Sequence, residues 1–379
     1  METRKVQMTG KSTFVVSLPK KWVGKVNIHT GDSVAMLPLP DGTLLVNPHI
    51  SRKDKDSRKR VVSLDSDNPE QTHREFIGAY LSGYNVFEFR SRTLIDKDTR
   101  QLVRRIGESV IGPQIVDETP NSIVMRNLLD ASDFSLSKAV KRMHIVARDM
   151  QLEALALVQK RSDEIAEDLV RRDDDVDRLA RMITKQYNLI LRDVSFSEKM
   201  AVRPQEALGY LMISRTLERI ADHAVRIAGN SKELTGPPEI TKLTYDTGHA
   251  VVALLDDAMN SFYRSRLDQA FEAAEKGKSL ESATSRLTHD VLSWNGTAPT
   301  SVPLALVADS IERTRAYAVD ISETAINHIF AMEFDAELEK QEMEKLARKR
   351  SAEHTASQHP TMASETPVLA AEKPGSGFH

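Results

Sequence analysis

Residues 217–228 read LERIADHAVRIA, and residues 311–322 read IERTRAYAVDIS. Glu218-Arg219 aligns with Glu312-Arg313 and Ala224-Val225 with Ala318-Val319, at a fixed offset of 94 residues. Apolar residues in both stretches recur at intervals of three and four, the spacing of one helix face. Recurrence at a fixed period predicts two copies of one helical unit. Upstream of the first copy, Val140, Met143, Val146, Met150 and Ala154 form one stripe, and Val176, Leu179, Ile183, Tyr187 and Ile190 a second. The copy's own helix begins near Pro204, carries Ile213, Leu217, Ile220, Ala224 and Ile227, and stops near Gly229-Asn230. A break at Thr235-Gly236-Pro237-Pro238 precedes three more helical stretches, 239–264, 267–291 and 302–340. Amphipathic helices with short links bury their stripes only on each other. The reading is a mainly α chain with two tandem three-helix bundles, at 133–234 and 235–340.

Composition sets the bounds around this body. The chain has 379 residues, 40% of them apolar and 28% charged, and only 5% aromatic. It has no cysteine, which excludes disulfides, thiolate metal sites and cysteine nucleophiles and fits a reducing cytosol. No run of about 18 apolar residues suggests a membrane span, and the N-terminus reads as having no secretory leader. We expect a cytoplasmic protein. The net charge of −3 conceals an asymmetry: residues 1–60 hold 12 Lys and Arg against 5 Asp and Glu. A basic head on an acidic body suggests different partners for the two parts.

The head, 1–50, reads as a small β unit. Phe14–Leu18 is a strand, Pro19 opens a helical turn through Val23, and Ser33–Leu37 and Thr43–Val46 form a hairpin across Pro40-Asp41-Gly42. So short a unit has little core and gains most by pairing with a second copy. Residues 51–64, with the basic run RKDKDSRKR, read as a linker. Residues 65–132 read as a small mixed α/β spacer domain: helices at 71–81 and 96–107, strands at 84–90, 114–118 and 122–126. The tail reads first as a charged helix from about Asp335 through Lys345 and then turns Ser/Thr/Pro-rich; 341–379 is set apart as the tail segment, with 350–379 expected to be disordered.

Two pairs of acids carry the chemistry. Asp173 and Asp177 are four residues apart, as are Glu218 and Asp222, so each pair shares a helix face one turn apart. Like charges at that spacing repel by a few tenths of a kcal/mol, ~0.2–0.5, and a hard cation would relieve the repulsion. A solvated acidic face is the alternative that spacing leaves open. In the second repeat Glu312 and Glu281 remain, but Ala316 and Ser285 stand where second carboxylates would be, so an equivalent second site is not expected. The bundles lack the Glu-x-x-His of di-iron oxidases; Glu70…His73 lies outside them. His144 reads as a hydrogen-bonding flank residue. With no nucleophile–base constellation, we expect no enzyme.

The stretches Asp173–Leu179 and Leu217–Ala228 resemble the PhoU family, regulators of phosphate uptake built from two repeated three-helix bundles. The resemblance covers about residues 135–330. It implies a metal site at Asp173, Asp177, Glu218 and Asp222, holding a divalent or trivalent ion such as iron, Mn, Mg or Zn. Arg4–Gln7, Thr9–Ser12, Ser17–Trp22 and Gly31–Val34 in turn resemble the AbrB/SpoVT swapped-hairpin DNA-binding domains. That resemblance implies a homodimeric head that contacts DNA through Arg4, Lys5 and Lys11. An AbrB-like head, an α/β spacer and a PhoU-like body together are similar to archaeal phosphate-uptake regulators. A phosphate ABC transporter ATPase subunit or a sensor kinase is the partner implied. The alternative is an adaptor that docks on the transporter complex, its head serving only to dimerise.

Overall fold

The computed structural model describes residues 2–10, 12–38, 43–48, 58–64, 68–231, 234, 236–294 and 296–358. At the N-terminus β1 (Gln7–Thr9) pairs antiparallel with β2 (Thr13–Val15), Met8 opposite Phe14. Pro19 precedes α1 (Lys20–Lys25), its extended φ setting up the first turn. A second hairpin joins β3 (Ala35–Pro38) to β4 (Leu44–Asn47), with Ala35 opposite Asn47. No described residue before Pro48 is buried. Val6, Met8, Phe14, Met36 and Leu44 are all more than half exposed.

The α/β domain starts earlier than its sequence suggests. β5 (Lys59–Ser63) runs parallel to β6 (Val86–Arg90), so Lys59 and Arg60 belong to a strand and not to a linker. Val62 is fully buried, Lys59 Nζ reaches Glu88 Oε2 at 2.7 Å, and Arg60 pairs with Glu75. These contacts draw the end of the basic run into the sheet; residues 51–57 of the expected linker lie outside the described residues. α2 (Pro69–Leu81) has Asn68 as its cap and α3 (Lys97–Glu108) has Asp96. β7 (Pro113–Glu118) and β8 (Ser122–Asn127) complete an antiparallel remainder in the order β5-β6-β8-β7. Phe76, Tyr80, Phe87, Phe89, Val103 and Ile123 form this domain's core.

The body contains α4 (Leu136–Gln159), α5 (Asp163–Arg192), a short α6 (Val194–Met200) and α7 (Pro204–Ser231). α8 (Pro238–Arg264), α9 (Leu267–Ser293) and α10 (Ala298–Gln358) follow. Ser135 and Ser162 cap α4 and α5 through their hydroxyls. The stripes read from sequence are buried: Val140, Met150, Val176, Ile183, Leu217 and Ile220 are each 0% exposed. The two triplets do not keep separate cores. α7 packs on α10 and α4 on α8, so one apolar cluster runs from Leu136 to Ala325. Gln151 of α4 ties this centre together, donating through Nε2 to the Ile220 carbonyl at 2.6 Å.

Two expectations need correction. The link from α5 to α7 holds α6, capped by Asp193 and ended by Ala201 in the left-handed region, φ 50°. The charged helix after Asp335 is continuous with α10 and runs to Gln358, past the expected onset of disorder at 350. The stretch Ala336–Arg350 is dominated by Glu, Lys, Leu, Arg and Ala, which are strong helix formers even without packing. Residues 359–379 lie outside the described residues.

Gly248 stands where α8 crosses α4, and a Cβ there would collide with both methyls of the fully buried Leu155. Gly229, in the last turn of α7, faces open space. Gly248→Leu is expected to lower stability by about 1–3 kcal/mol, and Gly229→Ala to leave it unchanged or raise it by up to ~1 kcal/mol. Urea midpoints of the two variants check this.

Candidate functional site

α5 and α7 pack along each other and bring the four predicted acids together. Burial raises the Asp173 carboxyl first, and Asp222, Asp177, Asp174 and Glu218 raise it further, to about 7. Asp177 is raised by burial; Arg181 opposes this, while Glu218 and Asp174 add to it. Asp222 is raised by burial and then by Glu218 and Asp177. Each of these three acids therefore feels a carboxylate of the opposite helix, and the patch spans the α5–α7 groove. Asp174 is a fifth contributor that the four-residue spacing did not reveal.

Compensation within the patch is partial. Arg181 pairs with Asp177 one turn away, and Arg215 Nη1 lies 3.2 Å from Glu218 Oε2. Asp173 Oδ1 is buried without a hydrogen-bond partner. Among the described residues, Asp222 forms no ion pair. An orphaned carboxylate oxygen beside several other acids suits a hard, oxygen-preferring cation in donor chemistry. The side chains are not already arranged around one: among the described residues no three His, Cys, Asp or Glu groups stand in positions to hold a metal together. Binding would require Asp177 and Glu218 to turn from their arginines.

The second repeat solves the same problem internally. Glu312 is half-buried, which alone would raise it, but hydrogen bonds from Arg315 and Thr284 outweigh burial and hold it low. Arg315 donates to Glu312 through Nε at 2.8 Å and to the Gly277 carbonyl through Nη1 at 3.0 Å. By the repeat offset Arg315 takes the place of the buried Ala221. A guanidinium thus stands where the first repeat has an apolar side chain.

The α/β domain docks on the helix that carries half of the patch. Arg181 Nη1 donates to the Ser109 carbonyl at 2.7 Å, and Arg178 Nη1 to the Glu108 carbonyl at 3.3 Å, at the C-terminal end of α3. Further along α5, Asn188 and Arg192 each donate at 3.0 Å to the carbonyls of Leu81 and Ser82 at the end of α2. Lys185 lies over the Tyr80 ring at 4.2 Å. Arg181 is therefore shared between Asp177 and the neighbouring domain. Sequence reasoning missed it because an Asp–Arg pair four apart reads as an ordinary helix-surface pair.

The other sequence candidates fall elsewhere. Arg4 pairs with Glu2, and Lys5 is exposed, both in the extended segment before β1; Lys11 lies outside the described residues. His144 Nε2 is 3.0 Å from Asp256 Oδ1, which also accepts at Oδ2 from Arg148 Nε at 2.8 Å, so this histidine joins α4 to α8. No helix among the described residues is long and apolar enough to cross a membrane.

Residues 140–230 match the family model described as the PhoU domain. The chain is 23% identical over 170 residues to a Clostridium acetobutylicum protein named phosphate-specific transport system accessory protein PhoU homolog, covering 44% of this chain and 76% of that one. It is 25% identical over 195 residues to a protein of the same name from Caulobacter vibrioides, covering 50% and 84%. A crystal structure of the phosphate transport system regulatory protein PhoU from Streptococcus pneumoniae aligns with 51% of this chain and 92% of its own, with 16% identity and a TM-score of 0.43.

The shifted Asp173 carboxyl gives a pH signature. Between its ordinary value of 3.8 and about 7 the folded chain keeps a proton that the unfolded chain has released. Stability contributed by that proton is therefore lost as pH rises through about 7. In a chelating buffer, Asp173→Asn should flatten this decline. At pH 8 it should raise the melting midpoint by ~2–4 °C, on the order of 1 kcal/mol once screening of a half-buried group is allowed for. Thermal melts at pH 5 and pH 8 check it.

Proposed function

We propose that this chain is a cytoplasmic regulator of phosphate transport whose PhoU-like body responds to a bound cation and whose basic head binds DNA. The observation that carries the first half is the contrast between the repeats: the segment matching the PhoU domain holds an under-compensated acidic groove, while its counterpart carries its own arginine. The similar proteins named above are accessory proteins of phosphate-specific transport systems, and the body would act in the same setting.

Asp173, Asp177, Glu218 and Asp222 would hold the ion, which supplies a compact positive charge and no chemistry of bond breaking. Recruiting Asp177 competes with Arg181, and Arg181 also holds the end of α3. Cation binding and the seating of the α/β domain are then linked reciprocally, as two ligands of one equilibrium must be. That domain lies between the body and the head in the chain, so its seating biases the geometry the head presents.

For the head, the support is its charge and its bareness. Its exposed apolar strands favour cover by a second copy, as in a swapped-hairpin homodimer, and Arg4, Lys5 and Lys11 would then be duplicated toward one duplex. Neutralising phosphates releases counterions, so affinity should fall steeply with salt. The same exposed strands also favour the adaptor reading, in which the head only pairs two copies and the body docks on a transporter ATPase subunit or a sensor kinase. Gel retardation separates the two. Full-length protein should shift duplex DNA carrying promoters of phosphate-transport genes, and Arg4→Ala/Lys5→Ala/Lys11→Ala should weaken binding about tenfold or more and lower the salt slope. Binding equal in wild type and variant, or insensitive to salt, would leave only the adaptor.

A further inference from the structure

We propose that the seam between α7 and α10 is a binding site for a phosphate-type tetrahedral oxyanion, held by the guanidinium groups of Arg219, Arg226 and Arg313. It stands on residues outside the acidic groove and does not rest on the cation reading. The repeat places Arg219 and Arg313 at equivalent positions, each directly after the glutamate of its copy. Arg226 Nη1 lies 3.3 Å from Asp309 Oδ2, and His328, midway along α10, sits against Gly209 and Tyr210 near the start of α7. The two helices are therefore antiparallel, with Arg226 and Arg313 both at Asp309 and Arg219 beside Tyr317, one turn along α10 from Arg313.

Charge at this line does not balance. Asp309 takes Arg226 and, at 4.0 Å, Arg313, so one carboxylate serves two guanidiniums. Arg219 has a ring for a neighbour: its guanidinium carbon is 5.8 Å from the centre of Tyr317. The acids adjacent in sequence are already engaged elsewhere, Glu218 by Arg215 and Glu312 by Arg315. Asp320, one turn beyond Tyr317, pairs with none of the three arginines among the described residues. Asp222 lies one turn from Arg219 and from Arg226 on α7 but pairs with neither among the described residues, and three guanidiniums against Asp309 and Asp222 still leave the seam net positive. Guanidinium presents paired N–H donors matched to phosphate oxygens.

The floor of the seam gives a second, independent observation. His223, between Arg219 and Arg226 on the same stripe, has its Nδ1 buried without a hydrogen-bond partner, and its ring lies 5.8 Å from Tyr317. A buried polar atom without a partner is costly and invites explanation by a ligand or ion not yet in place. The ring therefore lies where an oxyanion held by these arginines would sit, and occupancy should be visible at it.

The test is calorimetric titration of full-length wild type and Arg219→Gln/Arg313→Gln at physiological ionic strength with a chelator present, using inorganic phosphate in one arm and glycerol phosphate in the other. We expect saturable binding in wild type and about tenfold or greater weakening in the variant, which has lost two charge-assisted donors. The tighter arm identifies free ion or monoester as the source. In parallel, the His223 ring resonances in wild type, followed by NMR at fixed pH, should shift saturably with the tighter ligand at the calorimetric midpoint. Arg219→Lys/Arg313→Lys keeps the charge and should retain part of the binding, which separates ligand contact from damage to the fold. No saturable binding in either arm, or equal binding by wild type and the glutamine variant, would overturn the assignment.

Discussion

Asp173 and its neighbours are the constraint from which the rest follows. Several carboxylates from α5 and α7 share one groove, and burial and mutual repulsion together push Asp173 up to about 7. One of its oxygens has no partner. Such a group can keep a proton, recruit an arginine or gather a cation. The chain uses a different solution at each of its two equivalent places. In the second repeat Arg315 fixes Glu312 and also ties α10 to the Gly277 carbonyl of α9. In the first, Ala221 at the corresponding position packs in the core, Arg181 and Arg215 compensate Asp177 and Glu218, and Asp173 and Asp222 are left without an arginine among the described residues.

α5 turns that local imbalance into something the whole chain can sense. Along one helix, Asp173 and Asp177 face the groove, while Arg178, Arg181, Lys185, Asn188 and Arg192 reach the ends of α2 and α3. The contacts to α2 and α3 are made to carbonyls at helix C-termini, where a positive side chain is favoured. Arg181 belongs to both sets. Any change that takes Asp177 from Arg181 alters a contact holding the α/β domain, without requiring movement in the apolar core.

Much of this was legible in the residues. Period and stripe located six long helices, because buried positions such as Val140, Ile183 and Ile220 recur at helical spacing. The acid pairs were legible because a four-residue interval puts two charges on one face whatever the tertiary fold. What could not be read was anything set by contact between segments distant in sequence. Arg315 as a built-in counter-charge, Arg181 as a bridge to Ser109, the shared core of the two triplets and the entry of Lys59 and Arg60 into a strand all depend on the partner segment. The charged helix past Asp335 was legible because Glu, Lys, Ala and Leu favour helix by themselves, whereas its reach from about 350 to Gln358 was not, since Ser, His and Thr there favour helix less. The head's hairpin β3–β4 was legible from its turn residues, whereas what covers its exposed strands is not encoded within one copy.

The most direct measurement of the central claim is the metal content of purified full-length protein by elemental analysis after equilibration with manganese or iron and removal of excess. Wild type and a second-repeat control, Glu281→Gln, should retain the same bound metal, and Asp222→Ala should lose most of it. Equal metal in wild type and Asp222→Ala, or none in either, would contradict the account.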